Sequence, residues 1–444
     1  MRTKIFLFLI ILFSAFLFSC ESEIEEYEIP STRQALSFYQ VKFTSYPEYV
    51  TPPELEYELV EYTNEEGDLT TGVTVSGVPD ADFIIIPDYL NVEGINYPVV
   101  EIDNNAFNSK PVKILAIPPT IKKIGVKAFE NTNVEKLYIK DLKAWCNIYF
   151  VYKSETGNTF TQLKSWANPI NQSTKVILNG EELTDLIIPE GVTEIKHFAF
   201  ANLNCNTILL NDNLNSIYSN AFEGCTANKI IFGKSKTELN DYCFYKMDNL
   251  SDIVFNEVPD QIALDIFTNV ENMSSTIKNI FIPSSNDFIA TKFLVNFYFY
   301  NATTPFGYYN LFTLDGNPIE DMAIENVEKL YYYALAGARI KSLKIGEGLK
   351  LIYNFALYYM PLLERIELPA SFEILYDDFN HCENLKEIRL HALLPPTLGA
   401  SYLDYPSLPE NLKDRCTLYV PAESIELYRN APFWSSFINI LPLD

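Results

Sequence analysis

The chain has 444 residues and carries 58 acidic against 33 basic side chains, a formal net charge of −25 at pH 7. Such a surplus repels phosphate backbones and anionic bilayers, which argues against nucleic-acid binding and suits solubility at a crowded cell exterior. Length alone would suggest two or three domains, but chains that grow by adding copies of one small unit escape that expectation.

At the amino terminus Arg2 and Lys4 precede an unbroken apolar and small-residue run from Ile5 to Phe18, closed by Ser19-Cys20. The run is too short for a membrane span, so residues 1–19 read as a secretory signal peptide. A cysteine directly after a small residue resembles a bacterial lipobox, although Phe18 is bulkier than the residue such boxes usually carry there. That resemblance implies lipidation of Cys20 and an outer-membrane, surface-exposed location. No later apolar run reaches spanning length, so the lipid on Cys20 would be the sole membrane contact. Residues 20–35 follow as an acidic tether rich in Glu21, Glu23, Glu25, Glu26 and Glu28, either a solvated spacer or an address for the cell exterior.

Residues 36–78 are expected to form an amino-terminal β cap. Leu55 to Val60 and Gly72 to Val75 alternate like strands around the polar turn Asn64-Glu65-Glu66-Gly67-Asp68. From residue 79 a repeat takes over. A turn residue, commonly Pro, is followed by aliphatics three and six positions on and by an Ala-Phe pair that starts at ten. Examples are Pro118, Ile121, Ile124, Ala128-Phe129; Pro189, Val192, Ile195, Ala199-Phe200; and Asn211, Leu214, Ile217, Ala221-Phe222. Gly346, Leu349, Ile352 and Ala356-Leu357 keep the register with Leu for Phe. The turn residues at 189, 211, 233 and 256, and again at 346, 369 and 391, are spaced as leucine-rich repeats are. Each unit places a short strand such as Leu115-Ala116-Ile117 before its turn residue, and no unit closes a core alone, so the units must stack with their strands in a parallel sheet.

The predicted architecture is a β-rich leucine-rich-repeat solenoid over residues 79–421, with a parallel sheet on one side and short turns or helical pieces on the other. Insertions fall at about 141–185 and 284–324. Residues 422–444 form a short helical carboxyl-terminal cap in which Trp434 plugs the last coil. These repeats, the segment Leu142-Lys143-Ala144-Trp145-Cys146-Asn147-Ile148, the Leu178-Asn179-Gly180-Glu181 turn and the ending from Leu418-Tyr419-Val420-Pro421 to Phe437 resemble the type 5, BspA-like leucine-rich-repeat family of bacterial surface proteins. The resemblance covers nearly the whole chain after Cys20. It implies the solenoid fold and adhesion to host or bacterial partners, and it carries no catalytic residue onto this sequence.

Strand alternation points to candidate ligand contacts. If two aliphatics per strand face inward, the residue between them faces the open, concave side of the sheet. That column reads Tyr138, Ile187, Leu209, Ile231, Val254 and Phe281, then Lys344, Glu367 and Arg389. An apolar stripe on an open face marks either a ligand groove or a surface covered by the chain's own insertion at 141–185. Lys136, Asp185, Thr207, Lys229, Asp252 and Asn279 would form a polar rim suited to protein recognition. The second insertion offers Tyr298, Tyr300, Phe306 and Tyr308 as an alternative, carbohydrate-binding set, or as cover for an irregular stretch of solenoid.

Catalytic motifs are missing: the sequence has no G-x-S-x-G, H-E-x-x-H, phosphate-loop or dinucleotide-loop pattern. His197, His381 and His391 read as ordinary turn or surface residues. No C-x-x-C pair is present, so neither a metal site nor a cofactor is expected. Cys205, Cys225, Cys243 and Cys382 fall at small apolar positions of the repeat and read as buried thiols, with pairing between stacked coils as the alternative. The expected role is non-catalytic binding of a host or bacterial surface protein, or of a glycan.

Overall fold

The structure is a computed structural model that describes residues 55–64, 66–154, 163–164, 166–257, 277–284, 308–331, 334–376, 379–399 and 410–443. One coil shows how the sequence builds the rest. In the strand Lys229–Phe232, Ile230 and Phe232 are buried while Lys229 and Ile231 are half-exposed, the alternation that a pleated strand imposes. Gly233 ends the strand, at the position that Pro189 and Asn211 fill in the two coils before it. A second strand, Glu238–Leu239, follows, with Leu239 turned into the core. A turn then returns Cys243 and Phe244 to the same interior.

Stacking these coils yields parallel sheets on two sides. The main strands fall into three runs. Phe83–Ile85, Ile114–Ile117, Lys136–Ile139 and Lys175–Leu178 pair in parallel. Leu186–Ile187, Thr207–Leu209, Lys229–Phe232, Asp252–Phe255, Asn279–Ile282 and Asn310–Thr313 form the middle sheet. Asp321–Ile324, Ser342–Ile345, Arg365–Leu368, Glu387–Leu390, Thr417–Val420 and Asn439–Pro442 form the last. The fold is thus the expected repeat solenoid, and the turns expected on its return side are there. Two-residue strands before those turns add a second parallel ladder, as in Glu194–Ile195, Ser216–Ile217 and Glu238–Leu239. Lys329–Leu330, Leu351–Ile352, Ile374–Leu375 and Thr397–Leu398 form its counterpart later in the chain.

Between these ladders lies one continuous apolar core. Phe200, Phe222 and Phe244 stack at 5.5 Å centroid spacing, and Phe107 stacks on Phe129 at 4.6 Å. The turn that delivers each aromatic is bonded to the next coil: the amide of Phe200 donates to Ala221 and that of Phe222 to Cys243, both at 2.8 Å. Two left-handed residues shape each of these corners, one before the Ala position and one three after it. They are Lys127 and Asn131, Phe198 and Asn202, Asn220 and Gly224, Tyr242 and Lys246, and Phe355 and Tyr359. Side chains with a Cβ resist this conformation, so stacking must hold it in place.

Hairpins cut the main sheet at two places. Lys175–Leu178 turns through Asn179 and Gly180, at φ 53° and 93°, into the antiparallel strand Glu181–Glu182. After Asn310–Thr313 only Gly316 of the Asp315-Gly316 pair takes positive φ, and Phe312 bridges Pro318. Near the amino-terminal end, Glu56–Thr63 pairs antiparallel with Leu69–Gly77, which extends the second sheet by pairing with Ile95–Ile102. Toward the carboxyl end the helix Ile425–Asn430 brings up Tyr428, whose hydroxyl donates to the Ala392 carbonyl at 2.8 Å. Trp434 is fully buried there and its indole N–H donates to the Pro396 carbonyl at 2.8 Å. Trp145 is likewise buried, with its indole N–H on the Ala199 carbonyl at 2.8 Å.

Candidate functional site

The outward column of the middle sheet is a physical surface. Ile187, Leu209, Ile231, Val254 and Phe281 are direct register partners, strand by strand, and Phe312 extends the line by one more rung. At the spacing of neighbouring strands, about 4.8 Å, the six side chains make one unbroken apolar strip. Ile187 is 57% exposed and Leu209 37%, while Ile231, Val254, Phe281 and Phe312 are half-exposed. The rings of Phe281 and Phe312 stack at 5.0 Å with planes 20° apart. Phe312 is not among the residues that strand alternation in the sequence places in the column, although it follows the buried Leu311 just as Phe281 follows the buried Ile280.

Tyr138 stands apart from this strip. It lies on the preceding sheet between Ala116 and Ile177, and the Asn179-Gly180 hairpin separates that sheet from Ile187. Within the 141–185 insertion, Cys146 and Asn168 pack on the return side, where Asn168 donates to the Phe198 carbonyl at 2.6 Å and the Lys196 amide donates to Cys146 at 3.0 Å, while Lys175–Leu178 joins the main sheet that carries Tyr138.

Beside the strip runs the polar row Thr207, Lys229, Asp252, Asn279 and Asn310, again in direct register. Asn310 donates to Asn279 at 3.0 Å and Asn279 to Asp252 at 2.8 Å, a ladder of two side-chain amides ending on a carboxylate. The Lys229 ammonium sits 6.0 Å from the Phe281 ring centroid. Lys136 belongs to the preceding sheet, paired with Lys175, and Asp185 comes just before the first rung of the middle sheet.

In the last sheet the same outward position reads Ala323, Lys344, Glu367, Arg389, Tyr419 and Leu441. Lys344 pairs with Glu367 at 2.8 Å, and His391 Nε2 lies 3.2 Å from the same carboxylate. The hydrogen bond from Lys344 holds the Glu367 carboxyl below the usual carboxylate range, against the opposing pull of partial burial. Arg389 lies 5.0 Å from the Tyr419 centroid.

Of the alternative aromatic set, Tyr298, Tyr300 and Phe306 lie outside the described residues. Tyr308 is 41% exposed and sits 6.1 Å from Tyr359, which stacks on His381 at 4.2 Å. Tyr331, Tyr353 and Tyr376 form a further ladder at 5.6 and 5.7 Å, with planes 13° and 14° apart. The sequence held a signal for it, a tyrosine directly after the second aliphatic of successive coils.

His197 packs between Tyr152 and Tyr218 at 5.0 and 5.1 Å, and burial lowers its pKa. Among the described residues no three His, Cys, Asp or Glu side chains converge as metal ligands. Among the described residues the cysteine thiols are buried; desolvation pushes Cys416 up to about 12 and Cys146 and Cys243 up as well.

A family profile described as the BspA type leucine rich repeat region matches six copies across residues 88–161, 174–301 and 310–397, more than half of the chain. The chain belongs to that family. Among solved structures, the repeats are similar to a leucine rich cell surface protein from Faecalibacterium prausnitzii, 17% identical, covering 90% of this chain and 96% of that one at a TM-score of 0.36. A leucine-rich repeat protein from Bacteroides ovatus is also 17% identical, with coverage of 89% and 91% and a TM-score of 0.41. The pneumococcal vaccine antigen PcpA is 14% identical, with coverage of 88% and 97% and a TM-score of 0.33. No curated protein matches the chain.

Proposed function

We propose that this repeat protein is a non-catalytic binding protein of the cell surface, tethered to the outer membrane through a lipid on Cys20, and that it recognises a host or bacterial protein through the middle sheet. The observation that carries the reading is the strip of Ile187, Leu209, Ile231, Val254, Phe281 and Phe312, whose first two members stand open to solvent. Exposing aliphatic and aromatic side chains in register is unfavourable unless another surface covers them. An apolar centre beside a row of polar, hydrogen-bonding side chains has the make-up of a protein-recognition patch.

The test is capture by the lipid-free chain, residues 21 to 444, of extracellular-matrix and bacterial surface proteins. Leu209→Asp combined with Ile231→Asp should abolish capture while the far-ultraviolet circular dichroism stays that of the parent. Undiminished capture by the folded double variant would sink the assignment. Tyr308, partly open beside Tyr359 and His381, motivates a second reading as a carbohydrate-binding lipoprotein. Strong signals on a glycan array, lost on Tyr308→Ala and kept in the Asp double variant, would favour it.

A further inference from the structure

Cys205 and Cys225 occupy adjacent coils, those whose rungs carry Leu209 and Ile231. Both are buried, and their Sγ atoms lie 3.6 Å apart. A covalent bond requires about 2.05 Å, so the two sulfurs must draw closer for it to form. The backbone around them is already clamped. The Cys205 amide donates to the Thr226 hydroxyl at 3.2 Å, and the Thr226 amide donates to the Leu203 carbonyl at 3.0 Å. Cys382, by contrast, directs its thiol to the Leu357 carbonyl at 3.0 Å.

We propose that Cys205 and Cys225 form a disulfide that ties these two coils together when the chain folds in contact with a disulfide-class oxidant. The balance is simple. The thiolate of one cysteine attacks an external disulfide, forming a mixed disulfide and expelling one thiol. The second cysteine then displaces the other external sulfur, closing the Sγ–Sγ bond. Two electrons pass to the oxidant, and the two cysteine protons end on its two released thiols. Once the coils have closed, both sulfurs are shielded from an external reagent, so the exchange belongs to folding, before the neighbouring coil covers the pair. Export out of the cytosol, as the leader segment implies, brings the chain into a compartment where such oxidants act. The inference does not depend on what the outer face of the sheet binds.

The experiment is oxidative refolding of the reduced, denatured chain of residues 21 to 444 in a small-molecule thiol and disulfide couple, followed by alkylation in denaturant and peptide mapping. The expected product has lost two hydrogen atoms in intact mass and carries one linked peptide joining Cys205 to Cys225. Reductant should lower its unfolding temperature, and the same treatment of Cys225→Ala should leave the unfolding temperature unchanged. Full alkylation of both cysteines after refolding in an oxidising couple would overturn the proposal. So would a cross-link that joins either one to a different cysteine.

Discussion

In the middle sheet the outward residues run Ile187, Leu209, Ile231, Val254, Phe281 and Phe312, whereas in the last sheet they run Ala323, Lys344, Glu367, Arg389, Tyr419 and Leu441. The inward residues of the two regions hardly differ: Leu186, Ile208, Ile230 and Ile253 in one, Met322, Leu343, Ile366 and Ile388 in the other, all buried. Backbone pairing is parallel and in register in both. The repeat therefore constrains the side of the strand that packs and leaves the other side free. Chemistry on that free side is where one coil can differ from the next without loss of fold, and so it is where binding specificity has room to develop.

Breaking the inward side should cost most. Phe222, fully buried between Phe200 and Phe244, should lose about 3–5 kcal/mol on Phe222→Ala, read by denaturant unfolding. Ile187→Ala, at the outward position, should stay within about 0.5 kcal/mol in the same assay. Equal losses would erase the distinction between the two sides.

Gly233 tests how closely the coils approach at the strand ends. A Cβ there would lie 2.1 Å from the Asn211 carbonyl oxygen, a backbone atom that cannot swing away. Gly233→Ala should cost about 1–3 kcal/mol, the range of overpacked cores, with a lowered unfolding midpoint as the readout.

The last sheet should respond weakly, because its ion pairs face water. Glu367→Gln should cost under about 1 kcal/mol after screening. The same pair sets a pH dependence with a definite sign. Since the Glu367 pKa is lowered on folding, the stabilisation is complete above the ordinary carboxylate value and fades as pH falls through the lower, folded value. Comparing acid unfolding of the parent with Glu367→Gln reads this difference; a stability gap that widens on acidification would contradict the sign.

A small gain is expected from Lys246→Asn. Lys246 is left-handed at the corner position where other coils place Asn131, Asn202 and Gly224. Relief of that conformation, less the loss of its contact with Tyr245 at 4.9 Å, should leave a gain of about 0.5 kcal/mol in thermal unfolding.

Sequence spacing revealed the coil because Ala-Phe and the aliphatics before it recur at fixed offsets, and those residues form the interior. The second ladder was illegible for a physical reason: two residues, as in Glu194–Ile195, are too few to show an alternation. The strands Lys175–Leu178 and Asn310–Thr313 were not legible as rungs of the sheet, since their parallel partners lie far back in the chain, at Lys136–Ile139 and Asn279–Ile282. For the candidate surface, alternation was enough to bring Ile187, Leu209, Ile231, Val254 and Phe281 onto one strip. It could not show that a hairpin sets Tyr138 on another sheet. The packing of Trp145 and Asn168 was equally hidden, because they find their carbonyl partners on a coil that begins after the 141–185 insertion ends.

The hairpin at Asn179 and Gly180 has a consequence for how such a molecule changes over generations. A turn that terminates one run of rungs and lets the next begin afresh acts as a seam, and material gained or lost at a seam leaves the bonding within either neighbouring run intact. A lineage can thus exchange whole slabs of recognition surface there, altering what the protein grips in one step while its interior is inherited unchanged.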